Sequence, residues 1–283
     1  MSADRATAPI GPPARITPAL DGVPETLLWP LRSRAGMSVL DRDFFDDPMA
    51  VDLLNRIDYD FARFGPVSHW HAVRSKYSDD LISAYIAQHP EAQILALGEG
   101  VETQFWRVDN GTLRWLSVDL PESIALRAQL LPEHPRATNV PLSALDPAMM
   151  DHVDASRGLF VTAAGLLMYF EPDDVRALLT RLAAVCTDLP GEVFFDTIPH
   201  MLSRRSLKRW EIDKGYVTPP MPFGLARREI GQFEASVPGL TRLEAKNYGD
   251  IAPARGRLIY MIGKTPILRN LSPMLLHGRL SAP

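Results

Sequence analysis

The stretch from residue 93 to residue 120 constrains this chain more than any other. An apolar run, Gln93-Ile94-Leu95-Ala96-Leu97, closes on Gly98-Glu99-Gly100, and the next apolar run, beginning at Leu113, ends in the acid Asp119. Short apolar runs bounded by turn residues read as strands buried on both faces, the kind that sit in parallel sheets covered by helices. Glycines at a strand end let the backbone approach a ligand closely. A carboxylate closing the following strand, nineteen residues after Gly100, suits the hydroxyls of a ribose. The pattern describes a nucleoside-cofactor site, and it does not require a dinucleotide.

The periodicity around this stretch gives an α/β chain that reads as one domain with insertions. Helices are expected over 26–37 and 48–56, separated by an acidic turn at 41–47 that lacks the glycine and glutamate of a calcium loop and reads as solvated carboxylates. Trp70, Val73, Tyr77, Leu81, Ala84 and Tyr85 form one helical stripe with Arg74 beside it, ended by His89-Pro90. Strands follow at 93–97, 113–118, 137–142, 158–163, 192–198, 242–247 and 257–263. About ten residues join the last two, too few for a helical crossover, so they should form an antiparallel hairpin. Residues 1–24, with Pro9, Pro12, Pro13 and Pro18, read as a mobile arm; 25–266 as the main domain, with a lid insertion at 199–230; and 267–283 as a tail. The apolar part of that tail, 267–276, is either an oligomer contact or core cover.

Composition removes several function classes. A formal charge of −4 gives no reason to expect nucleic acid as a partner. One cysteine, Cys186, allows neither an intrachain disulfide nor a thiolate metal cluster, and it reads as a small buried apolar group. No leader-like start and no apolar run of about 20 residues is present, so a cytoplasmic location and no membrane contact are expected. His69 and His71, two apart on a helix, point in different directions and make no metal pair.

The sequence resembles the class I S-adenosylmethionine-dependent methyltransferases of the leucine carboxyl methyltransferase group, including its bacterial polyketide O-methyltransferase branch. The resemblance runs from about Glu25 to Gly263 and rests on six pieces of sequence. These are Asp47-Pro48-Met49-Ala50, the run 57–61 (Ile-Asp-Tyr-Asp-Phe), Arg74, Gly98-Glu99-Gly100-Val101-Glu102-Thr103, Val118-Asp119-Leu120-Pro121 and Gly165-Leu166-Leu167-Met168-Tyr169-Phe170. It implies a seven-stranded Rossmann-like sheet with an antiparallel last strand, an N-terminal helical extension and a lid after strand five. It also implies S-adenosylmethionine as cofactor. Arg74 would pair with the methionyl carboxylate, the loop of Gly98 and Gly100 would pack against the methionyl and ribose parts, and Asp119 with Leu120 would hold the ribose. Ser143 and Ala144 would face the adenine, with Asp146 serving if the register differs. Ala164 stands where the family has an acid.

The acceptor is read from the insertion. Arg204, Arg205, Lys208, Arg209, Lys214, Arg227 and Arg228 make it locally basic, while Trp210, Tyr216 and Phe223 add aromatic surface. Arg204 or Arg205 is expected to orient an acceptor carboxylate, with Trp210 and Tyr216 lining its pocket; the alternative is a basic solvated helix with core aromatics. His200 is a weak candidate base for a hydroxyl acceptor, against an ordinary surface histidine. Tyr169 lines the pocket or anchors the next helix. The function expected is O-methylation of a small-molecule carboxylate or hydroxyl in secondary metabolism, with a homo-oligomer possible. The competing readings are a nicotinamide-dependent oxidoreductase, opposed by the missing third glycine of the dinucleotide fingerprint, and a cofactor-binding protein without turnover.

Overall fold

A computed structural model describes residues 15–20, 22–208, 210–211, 216–252, 265 and 268–283. Three helices lead: α1 (Leu28–Leu40), α2 (Pro48–Arg56) and α3 (His69–Ile86). Asp47 starts α2 by accepting the Ala50 amide at 2.9 Å, with Pro48 in the first turn where its missing N–H costs nothing. Ser68 caps α3 in the same way.

The alternating part runs β1 (Gln93–Leu97), α4 (Gln104–Val108), β2 (Arg114–Asp119), α5 (Pro121–Leu130), β3 (Ala137–Pro141), β4 (Leu159–Ala163), α6 (Pro172–Ala184) and β5 (Gly191–Thr197). Then come α7 (His200–Ser206), α8 (Ile230–Ala235), β6 (Leu240–Asn247), α9 (Tyr248–Ile251) and β7 (Met274–Leu280). The sheet order is β3-β2-β1-β4-β5-β7-β6, parallel through β5, with β7 antiparallel to both of its neighbours.

Side chains of the central strands alternate between two cores, as the pleat requires. Leu95, Leu97, Val161 and Ala163 pack with Leu178 and Leu182 of α6. Ile94, Ala96, Phe160 and Phe194 pack with Val73 and Tyr85 of α3. A third core joins α1 and α2 to α5 through Leu28, Leu31, Leu53, Val101 and Leu126. Cys186 is buried, in keeping with its apolar reading.

Three expectations need correction. The strand beside β6 is Met274–Leu280, inserted between β5 and β6, so residues 268–283 are not a tail; of the apolar run, Met274, Leu275 and Leu276 are sheet core while Leu271 is exposed. The expected strand 257–263 lies outside the described residues. The arm, too, is anchored where it is described: Ile16 donates its amide to the Arg56 carbonyl and accepts the Asp58 amide, both at 2.8 Å. Finally, Asp47 is not a solvated turn carboxylate, since it is 1% exposed and held by two arginines.

Candidate active site

Order reverses between β1 and β4, the switch point at which open α/β sheets leave a crevice beyond their carboxyl ends. A cavity of about 470 Å³ opens there, and its wall includes Gly98, Asp119, Ala164 and Gly165. Two glycines shape it. Gly98 sits at φ +59°, and a Cβ on it would lie 2.6 Å from Leu166 Cδ1. Gly165 sits at φ +76°, where a Cβ would lie 2.6 Å from Arg74 Nη1. Larger residues would strain the backbone and collide at both places.

Asp119 ends β2 with its carboxylate folded toward the loop. Its Oδ2 accepts the Gly100 amide at 2.8 Å and its Oδ1 accepts the Leu120 amide at 2.7 Å. Burial raises its pKa, and those two amides pull the other way. Leu120, Ser143 and Ala144 line the same cavity, as the resemblance implies. Asp146 is not part of the cavity wall; it accepts the Ala148 amide and caps the turn Pro147–His152.

Arg74 reaches the cavity from α3 and donates Nη1 to Asp196 Oδ2 at 3.0 Å. Asp196, on β5, also accepts the Gly165 amide through Oδ1 and the Tyr248 hydroxyl through Oδ2 at 3.3 Å. Burial alone would lower the Arg74 pKa, but Asp196, Tyr248 and Glu102 together outweigh it and the guanidinium is held above its ordinary value. Asp196 places a carboxylate on β5, the strand next to β4. Sequence reasoning passed over it, although an acid inside Val193-Phe194-Phe195-Asp196 is a signal, since a charge in a buried strand must find a partner.

Behind the loop lies a buried ionic network that the sequence did not announce. Arg34 of α1 pairs with Asp47 at 3.2 Å and with Glu102 at 2.8 Å. Arg107 of α4 pairs with Asp47 at 2.9 Å, Asp79 at 2.7 Å and Glu102 at 2.8 Å. Burial would raise the Glu102 pKa, yet the two arginines bring it down to about 2. Asp79 goes the other way, raised by burial against the pull of Arg107. Glu99 is tied to Arg127 at 2.6 Å and to the Trp115 indole at 3.2 Å, so this loop acid braces the turn.

The insertion folds back over the strand ends: Leu225 donates to the Ile198 carbonyl at 2.9 Å and Met221 to the Ser206 hydroxyl at 2.9 Å. This brings Trp210, Tyr216, Thr218 and Met221 to the cavity, with Tyr169 opposite them on the loop after β4. Arg204 and Arg205 do not reach it. The inward positions of α7 are the buried Ser203 and Ser206, which turns both arginines to solvent, and Arg205 lies over the Trp210 ring at 4.6 Å. They belong instead to a separate surface groove with Lys208 and Glu211. His200 is likewise outside the cavity, 45% exposed and bonded to Glu229 at 2.6 Å.

The described residues fit S-adenosylmethionine. Arg74 Nε is buried without a partner on a cavity-lining side chain, Asp119 offers carboxylate oxygens to hydroxyl donors, and glycines leave room at the strand ends. A model of the leucine carboxyl methyltransferase family matches residues 30–183, more than half of the chain. The chain belongs to the leucine carboxyl methyltransferase family. It is an S-adenosylmethionine-dependent O-methyltransferase, which sets aside the oxidoreductase and noncatalytic readings. It is 34% identical over 184 residues to the tetracenomycin polyketide synthesis O-methyltransferase TcmP of Streptomyces glaucescens, covering 63% of this chain and 67% of that one.

Solved structures agree on the fold. A duf574 family protein from Streptomyces avermitilis superposes with a TM-score of 0.53 at 16% identity, over 88% of this chain and 96% of its own. The plantazolicin methyltransferase BamL, solved with S-adenosylhomocysteine, gives 0.52 at 12% identity, over 89% and 98%. No helix among the described residues is long and apolar enough to cross a membrane, and none of their His, Cys, Asp and Glu side chains cluster in threes as a metal site.

Proposed function

We infer that this enzyme methylates a carboxylate oxygen on a largely apolar, polyketide-like small molecule. When bound, S-adenosylmethionine supplies an electrophilic methyl carbon on a cationic sulfur. The chain's own residues must hold the acceptor, exclude water and orient the attacking oxygen, and orientation of this kind is worth roughly 7–11 kcal/mol.

One observation carries the reading: no described residue of the cavity is disposed as a general base. Asp196, Glu102 and Glu99 are ion-paired, and Asp119, bonded to two loop amides, is committed in this reading to the ribose hydroxyls. His71 is packed beside Trp29 and hydrogen-bonded to Ser33 at 3.0 Å, and burial, with Arg74 and Arg34 nearby, drives its pKa well below the usual histidine value. A phenol with a pKa near 10 would need a base, whereas a carboxylate is already ionised at neutral pH. Similarity to TcmP, named for polyketide synthesis, supports the acceptor class, as do the Trp29, Met168, Leu202 and Met221 walls. Arg74, Asp119 and Ser143 would hold the cofactor in this reading.

The test offers radiolabelled S-adenosylmethionine with matched acids and phenols, such as 2-naphthoate and 2-naphthol. Label should enter the acid and leave it in mild alkali, as an ester does. Alkali-stable label from the phenol alone contradicts the reading.

A further inference from the structure

Two hydrogen-bond donors on cavity-lining side chains have no partner among the described residues: the Trp29 indole Nε1 and the Tyr216 hydroxyl, both fully buried atoms. Both residues line the cavity, one from the first turn of α1 and the other from the insertion. Their rings meet edge to face, with centroids 6.3 Å apart and planes at 76°. Phe64 fixes them from behind, stacked on Trp29 at 5.8 Å and edge-on to Tyr216 at 4.8 Å. An unmet donor in the interior costs about 1–3 kcal/mol, so two on one wall ask for an occupant that accepts.

The chemistry of these donors narrows the occupant. An indole N–H donates only, and the Tyr216 hydroxyl keeps its proton, its pKa raised first by burial and then by Tyr169 and Glu25. An ionised carboxylate only accepts, and it offers two oxygens. Ordinary core residues would be expected to turn such groups toward an acceptor, as Trp115 turns its indole to the Glu99 carboxylate. Tyr169 lines the same cavity, its hydroxyl pKa raised by burial.

We propose that Trp29 Nε1 and the Tyr216 hydroxyl form the subsite that receives the acceptor's carboxylate, neutral donors taking the role first expected of Arg204 and Arg205. The subsite rests on the carboxyl-methylation reading. Neutral donors suit the reaction: they orient the anion while leaving its charge available to the attacking oxygen, which an arginine pair would neutralise.

The experiment compares wild type with Tyr216→Phe and Trp29→Phe, variants that keep an aromatic ring at each place, with thermal melting to confirm the fold. With S-adenosylhomocysteine saturating, 2-naphthoate, anthracene-2-carboxylate and dodecanoate are titrated against the matching primary alcohols. Wild type should bind at least one acid ten times or more tighter than its alcohol. Each variant should lose about 10–100-fold of that acid affinity while alcohol affinity stays within about twofold, the range for a hydrogen bond to a charged group. A wild type that favours no acid, or variants that keep its preference, overturns the subsite. Ester formation by variants and wild type alike removes the subsite and leaves carboxyl methylation standing; ether formation from 2-naphthol alone removes the reading itself.

Discussion

The two ends of the cavity are built on opposite principles. At the cofactor end the polar groups, Arg74 Nε excepted, answer one another: Asp119 takes loop amides, Asp196 takes Arg74, Tyr248 and Gly165, and Arg34 and Arg107 are shared among Asp47, Asp79 and Glu102. At the acceptor end the wall is aromatic and aliphatic, and two donors on it, on Trp29 and Tyr216, are unmet among the described residues. The difference separates preorganisation from recognition. A cofactor common to a whole family can be met by a rigid ionic frame, whereas the acceptor is chosen by a few donors on an apolar surface.

The comparison breaks most severely at Asp47. Asp47→Ala leaves Arg34 and Arg107 short of a buried counter-charge and removes the cap of α2, so a loss of about 3–5 kcal/mol of stability is expected in urea titrations. A cost below about 1 kcal/mol would show that the frame is ornamental.

Glu102 sharpens the point through pH. Its folded pKa, about 2, lies below the ordinary glutamate value, so its contribution is present above about pH 4.5 and is lost as pH falls toward 2. The stability gap between wild type and Glu102→Gln should therefore reach up to about 3 kcal/mol at neutral pH and close over that window. Taking the difference between the two proteins reduces the opposing effect of Asp79 and Glu99, whose raised pKa values act in the other direction and owe a part to Glu102 itself. A gap that is constant from pH 6 to 3 would contradict the assignment.

The smallest effects belong to the surface. His200→Ala, Arg204→Ala and Arg205→Ala should each leave kcat/KM on an aryl acid within about twofold, because all three lie outside the cavity. A tenfold loss in any of them would move the acceptor site toward the outer groove.

The same contrast explains what the sequence disclosed. Arg74, Gly98, Gly100, Asp119, Leu120, Ser143 and Ala144 were expected from the family resemblance, with Gly98, Asp119 and Ser143 also falling at strand ends, and the cavity gathers all but Gly100, whose amide instead holds Asp119. Strands β1 to β5 were legible from their apolar runs. The seventh was not, because Met274–Leu280 contains Gly278 and His277 and follows a run, 257–263, with a stronger strand composition. Pairing in the sheet interior decided its place, and that is a long-range choice.

The acceptor wall was partly hidden for the same reason: Trp29 and Tyr216 are far apart in the chain and meet only after folding. Charge pattern pointed to Arg204 and Arg205, but helix direction, set by the buried Ser203 and Ser206, turned them outward. Asp196 and Arg34 were obscured because a buried charge is recognised by its partner, and the partners are distant in sequence.

The most direct test of the account is a calorimetric titration of S-adenosylhomocysteine into wild type and Asp119→Asn. The account predicts saturable binding to wild type and affinity at least about tenfold weaker in the variant, with both proteins equally folded. Absence of binding to wild type, or equal affinity in the two, would contradict it.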